Sequence, residues 1–169
     1  MHTLTLSDGR LLAYDDVGAP DGFPVVYLPG LGDSRLARHP DDGLAQVAGL
    51  RLISLDRPGY GGSSPQPHRT TRDTARDVEQ LADHLDLPLF AVLGWSLGGL
   101  HGLAVAHHLP KRVTHVVLVD SLGLVDEPGG LSQLHWTGRL PQQLRRVPPL
   151  QRAWFALNAH NSPSFTCKW

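Results

Sequence analysis

The sequence is short of several things, and each shortage removes a class of protein. One cysteine, Cys167, in 169 residues leaves no intrachain disulfide framework. No apolar run approaches the roughly 20 residues of a membrane-spanning helix. The N-terminal Met1-His2-Thr3-Leu4-Thr5-Leu6-Ser7-Asp8 has neither the basic flank nor the apolar centre of a signal peptide. Charge of one sign is also missing: the net value is −1, which gives no reason to expect nucleic acid or an acidic partner. Lysine is nearly absent, two against thirteen arginines, a matter of composition rather than function. No pair of histidines has the spacing of zinc ligands, and neither a metal nor a cofactor is expected. What remains is an ordinary globular composition, 41% hydrophobic and 18% charged, in a chain long enough for one domain with a core. A cytoplasmic protein is the expectation.

One stretch organises the rest. Residues 89–93, Leu-Phe-Ala-Val-Leu, read as a buried strand and run straight into Gly94-Trp95-Ser96-Leu97-Gly98. A helical segment rich in Ala, Leu and Val follows to Leu109, where Pro110 stops it. A serine on so tight a strand-to-helix turn needs glycines where a β-carbon would clash. Ser96 is thereby lifted to the end of the sheet. The helix aims its N-terminal N–H groups at the same spot, where developing negative charge would be stabilised.

Around this unit the pattern is α/β. Short strands at 3–6 and 11–16 flank a turn, Ser7-Asp8-Gly9-Arg10. An apolar strand at 25–28 ends in Pro29-Gly30, and a short helix is predicted over 41–50. The strand at 52–55 ends in the turn-dense Asp56-Arg57-Pro58-Gly59-Tyr60-Gly61-Gly62-Ser63. Thr70 or Thr71 caps a helix with Ala75, Val78, Leu81, Ala82 and Leu85 on one face. Val113–Val119 is the last strand. Strands alternating with helices imply a mostly parallel sheet covered on both faces, with apolar strands that need not alternate. Beyond this, the character changes. Residues 126–169 hold two acids against five basic residues, whereas residues 1–125 hold fourteen against ten, and three of the four tryptophans, Trp136, Trp154 and Trp169, lie in the tail. Residues 1–125 are therefore read as a core and 126–169 as a partial helical cap with an irregular end. A lid over an active site accounts for the tail better than a helix lying on a membrane.

Three segments together resemble the α/β-hydrolase superfamily, in its esterase-like branch with a helical cap. Leu28-Pro29-Gly30-Leu31-Gly32-Asp33-Ser34-Arg35 is similar to its oxyanion loop, residues 56–63 to the loop after its fourth strand, and residues 94–98 to its nucleophile elbow. The resemblance implies Ser96 as nucleophile, the backbone N–H groups of Leu97 and Leu31 as the oxyanion hole, and Gly30 and Trp95 beside the substrate. Pro29 stands where the family usually has histidine, but the oxyanion donor belongs to a later residue. The family order is Ser, then an acid, then a His near the chain end, and no strand that would carry the last two follows Val119. The chain therefore reads as about two-thirds of the fold, lacking the last strands. Residues 159–169, with the only cysteine, suggest a prematurely ended or frameshifted reading frame.

Asp120, at the end of the last strand, is the candidate acid, with capping of the next turn as the alternative. His135 and His160 are the only histidines after it. His101 is a turn and a half past Ser96 and points elsewhere. His107 and His108 belong at the helix C-terminus, His39, His68 and His84 in solvent, and His115 in the core or at an edge. The expected function is hydrolysis of a small ester or related acyl substrate, without a cofactor. The rival readings are an inactive remnant that binds a ligand or partner, and a second polypeptide that completes the site. Val113–Val119, if left as an apolar edge, is expected to drive self-association.

Overall fold

The computed structural model describes residues 1–121 and, beyond them, Pro149 alone. The expected cap over 126–169, with His135 and His160, lies outside the described residues. Six strands form one sheet: β1 (His2–Thr5), β2 (Leu11–Gly18), β3 (Phe23–Leu28), β4 (Leu50–Leu55), β5 (Phe90–Trp95) and β6 (Val113–Val119). Their spatial order is β1-β2-β4-β3-β5-β6. The first two pairings are antiparallel, and β4–β3, β3–β5 and β5–β6 are parallel. Three helices intervene: α1 (Gly43–Val47), α2 (Thr71–His84) and α3 (Leu97–His108). None of the described helices is long and apolar enough to cross a membrane.

Local chemistry accounts for where the elements begin and end. Asp8-Gly9 closes the β1–β2 hairpin with Gly9 at φ 83. The Arg10 side chain then ties that hairpin to α2 through a two-pronged pair with the buried Asp77, at 3.0 and 2.6 Å. Pro24 lies inside β3 although a strand was expected only from residue 25. It pairs with Arg51 of β4, and the β5 ladder begins one residue later at Val25, so its missing N–H costs no bond to β5. The helix expected over 41–50 shrinks to α1, because Gly49 at φ 67 takes the left-handed position that ends it. At the start of α2, the backbone N–H and hydroxyl of Thr70 both donate to Asp73, at 2.7 and 2.8 Å. Ala75, Val78, Leu81 and Ala82 of α2 are buried against the sheet as expected, joined by Leu12, Val26, Ile53, Phe90 and Val92. Leu89 is exposed rather than buried, since pairing starts only at Phe90, whose N–H donates to the Arg112 carbonyl.

Among the described residues β6 ends the sheet, as expected of a last strand with no further strand beside it. Val117, Leu118 and Val119 are 49%, 44% and 46% exposed. Among the described residues no strand pairs with its outer edge, and His115 lies exposed on it. Toward α3, a β-carbon on Gly102 would meet Val92 Cγ1 at 3.1 Å and Val116 Cγ1 at 3.9 Å, and one on Gly99 would meet Leu118 Cδ2 at 3.4 Å.

The turn from β5 into α3 is the tightest place in the fold. A β-carbon on Gly94 would lie 2.5 Å from Gly99 Cα and 2.6 Å from the Gly98 carbonyl oxygen. One on Gly98 would run into the Leu28 carbonyl, with Leu28 C at 2.7 Å and the Pro29 oxygen at 2.8 Å. Backbone atoms hemmed in on both sides cannot step aside. Gly98→Ala is therefore expected to lower stability by about 3 kcal/mol, the upper end of usual overpacking costs, read as a shift in the urea midpoint. An unchanged midpoint would show that the turn is looser than described here.

Candidate active site

Ser96 sits at φ 53, ψ −120, between the last residue of β5 and the first of α3. A β-carbon-bearing residue held in the left-handed region costs on the order of 1–3 kcal/mol, and the surrounding contacts must impose it. They do so here through the glycine contacts of the turn and through the Ser96 N–H, which donates to the Val119 carbonyl of β6 at 2.9 Å. The hydroxyl makes no hydrogen bond among the described residues and is partly open to solvent.

The Leu28–Arg35 loop lies against this serine. A β-carbon on Gly30 would stand 3.4 Å from Ser96 Cβ and 2.7 Å from Asp33 Oδ2, so any side chain there would have to displace the Asp33 carboxylate. The Gly30 carbonyl accepts from two donors, the Asp33 N–H at 3.3 Å and Arg57 Nη2. The peptide bond that follows is planar and trans. Its carbonyl is held on one side, so the Leu31 N–H must point to the other, and among the described residues it has no acceptor. Leu97, the first residue of α3, presents one of the N–H groups that a helix cannot satisfy internally. Neither of these two backbone N–H groups has an acceptor among the described residues. Burial raises the Asp33 carboxyl above its ordinary range, and the Arg57 charge opposes that rise.

The support beneath the loop was not anticipated from sequence. Arg57 is 1% exposed and, besides Gly30, its Nη1 meets His101 Nε2 at 3.3 Å. His101 Nδ1 meets Thr74 Oγ1 at 2.9 Å. Since a guanidinium only donates, Nε2 is the acceptor and Nδ1–H donates to Thr74. His101 is thereby a neutral strut joining α3 to α2, with both ring nitrogens engaged by Arg57 and Thr74. Burial, reinforced by the Arg57 and Arg69 charges, pushes its pKa down to about 3. Next to it, Asp56 is fully buried and accepts from the Arg35 N–H (2.6 Å), Arg35 Nη1 (2.7 Å) and the Gly62 N–H (2.8 Å). Arg35 also reaches Asp15 at 3.2 Å. The adjacent Asp56-Arg57 pair in the turn-dense loop was the available signal, but nothing in sequence says where either side chain goes.

Other expected residues are placed less closely. Asp120 directly follows Val119, the residue bonded to the Ser96 N–H, and is exposed at φ 46 with no side-chain partner among the described residues. No described histidine bridges it to Ser96: His39, His68, His84, His107, His108 and His115 are exposed. Trp95 lines a cavity of about 880 Å3 with Tyr27, Asp33, Leu93 and Val119. A second cavity, of about 450 Å3, is walled by Leu31, Leu97, Leu100, Arg57 and His101. Among the described residues no cluster of three or more His, Cys, Asp or Glu side chains could hold a metal ion.

A strand, a glycine-flanked serine at positive φ, a helix and a facing glycine loop define an α/β-hydrolase core. A family model described as alpha/beta hydrolase fold matches residues 24–162, and the chain belongs to that family. It is 36% identical over 126 residues to the dihydrolipoyllysine-residue acetyltransferase component of the acetoin cleaving system of Pseudomonas putida, covering 72% of this chain and 33% of that protein. It is 36% identical over 121 residues to a proline iminopeptidase of Arabidopsis thaliana, covering 68% and 31%. A putative carbamate hydrolase of Variovorax paradoxus is 38% identical over 112 residues, covering 65% and 42%. The chain thus spans less than half the length of these relatives. Among solved structures, a thermophilic esterase from Thermogutta terrifontis superposes with TM-score 0.67 at 26% identity, over 88% of this chain and 55% of that one. A carboxylesterase of Nitrososphaera gargenis shares the fold, with TM-score 0.70 at 19% identity over 86% and 53%.

The buried histidine has a consequence for stability. An unfolded imidazole takes up its proton near pH 6.5, the folded one only near 3. Between those values the unfolded state binds more protons, so stability falls as pH is lowered through that window and is unaffected by His101 above it. Urea midpoints at pH 7 and pH 4.5 are expected to differ by less in His101→Gln than in the parent chain. Equal differences would mean that His101 is not held neutral.

Proposed function

We propose that the protein is a serine hydrolase of the cytoplasm that acts on a small ester or related acyl substrate, with Ser96 as nucleophile. The observation that carries this reading is Ser96 at φ 53 on the turn between β5 and α3, with the N–H groups of Leu31 and Leu97 lacking an acceptor among the described residues. In the reaction, Ser96 Oγ bonds to the substrate carbonyl carbon as a base removes the hydroxyl proton. The carbonyl oxygen becomes an oxyanion held by the two N–H groups. The alcohol then leaves with a proton, and water hydrolyses the acyl-serine by the same route. Each oxyanion donor is worth about 3–4 kcal/mol where one has been removed in other hydrolases. The names of the relatives, an iminopeptidase, a carbamate hydrolase and esterases, fit transfer of an acyl-type group to water.

No base stands beside Ser96 among the described residues. On this reading Asp120 would orient a histidine, and His135, His160 or a histidine of another polypeptide would complete the set. Without a base kcat would fall by about 10⁶. Labelling of the purified chain with a fluorophosphonate, read by intact mass, is expected to add one probe per chain and to be abolished in Ser96→Ala. A folded chain that takes up no probe would contradict an activated serine.

The second reading, an inactive binding protein, is favoured by the β6 edge, where three successive apolar residues are exposed. Such an edge is expected to pair with a second copy, so light scattering at micromolar concentration should report species above the monomer. A sharp monomer peak would remove this edge as an interaction surface.

A further inference from the structure

The smaller cavity beside the serine has an unusual lining. Its volume, about 450 Å3, is within the roughly 300–1,000 Å3 of small-molecule pockets. It opens from Leu31 and Leu97, the residues that flank Ser96, and continues past Arg57, Tyr60, Gln66 and Arg69. Two guanidiniums therefore line it, and among the described residues no carboxylate does. Both lie over one ring: Arg57 Cζ is 4.9 Å and Arg69 Cζ 5.7 Å from the Tyr60 centroid. The Tyr60 ring attracts each of them electrostatically.

The two arginines differ in what they are free to do. Arg57 is committed to the Gly30 carbonyl and to His101. Arg69 makes no hydrogen bond or ion pair among the described residues. The nearest acid in sequence, Asp73, is turned to Thr70 and Arg76 instead. Gln66 adds an amide whose oxygen is buried without a hydrogen-bond partner among the described residues. The wall thus offers a stacked guanidinium, an unused amide and a surplus of positive charge, next to the expected position of the reacting carbonyl.

We propose that this cavity is a carboxylate subsite, in which Arg69 binds a second, ionised acid group of the substrate while the scissile carbonyl lies at Ser96. The inference rests on the hydrolase reading and names its substrate class: half-esters or related acyl compounds of small dicarboxylic acids. One guanidinium without a hydrogen bond or ion pair among the described residues suits a monoanion better than the dianion of a phosphate, and its planar fork matches the two oxygens of a carboxylate.

Two measurements separate this proposal from the reading that it rests on. The first is binding of glutarate to the Ser96→Ala chain, followed by saturation-transfer NMR, with dimethyl glutarate and inorganic phosphate as comparisons. Glutarate is expected to bind, dimethyl glutarate to bind at least tenfold more weakly, and phosphate not to compete. Arg69→Gln should abolish glutarate binding, and Arg69→Lys should restore part of it. The second is hydrolysis of p-nitrophenyl hemisuccinate against p-nitrophenyl butyrate. Arg69→Gln is expected to lower kcat/KM for the charged ester by about 10–100-fold, chiefly through KM, and to leave the neutral ester unchanged. No glutarate binding by a folded chain, equal binding of the dimethyl ester, effective competition by phosphate, or equal loss on both esters would each overturn the subsite. Arg69-dependent glutarate binding in a chain whose Ser96 takes no fluorophosphonate would instead uphold the subsite and overturn the hydrolase reading.

Discussion

The contact on which the site depends is the approach of the β5–α3 turn to the end of β3. Gly98 touches the Leu28 and Pro29 backbone so closely that no side chain fits. That contact fixes three things together. It forces Ser96 into its left-handed conformation, aims the first turn of α3 at the end of the sheet, and sets Gly30 so near the serine that an added β-carbon would touch it. Strain of this kind persists only where the surroundings over-determine it, and here those surroundings are backbone from β3, β5 and β6. The position of Ser96 is therefore set by the sheet and the turn packed against it.

The loop facing the serine is held by charge rather than by apolar packing. Arg57 grips the Gly30 carbonyl and leans on a neutral His101, which is anchored to Thr74 of α2. Arg35, from the same loop, is pinned by Asp56 and Asp15. Burying such charges is costly unless every partner is in place. The fully buried Asp56, with three donors, meets that condition. The network lets one planar peptide point the Leu31 N–H outward without any contribution from the histidine that Pro29 replaces.

What could be read from the sequence followed physical range. The elbow and the strands were legible because apolar runs, glycine spacing and proline stops act over a few residues. The bounds of α1 and β3 were missed by a few positions, since Gly49 ends one and the ladder partners of Pro24 decide the other. The Arg57–His101–Thr74 chain was invisible because it joins residues 27 and 44 positions apart, and no local pattern encodes that meeting. His101 looked idle in sequence, yet it is the strut beneath the loop. The exposure of β6 depends on what lies beside it, a question that its own apolar pattern, typical of buried parallel strands, does not answer.

The central claim is that residues 1–121 alone assemble a strained serine facing two backbone donors. A crystal structure of the chain with phenylboronic acid tests it most directly. The account predicts a tetrahedral boron bonded to Ser96 Oγ, with Ser96 still at positive φ and one boron oxygen within hydrogen-bond distance of the Leu31 and Leu97 N–H groups. Unbound trigonal boron over an intact elbow, or a Ser96 relaxed to negative φ, would contradict it.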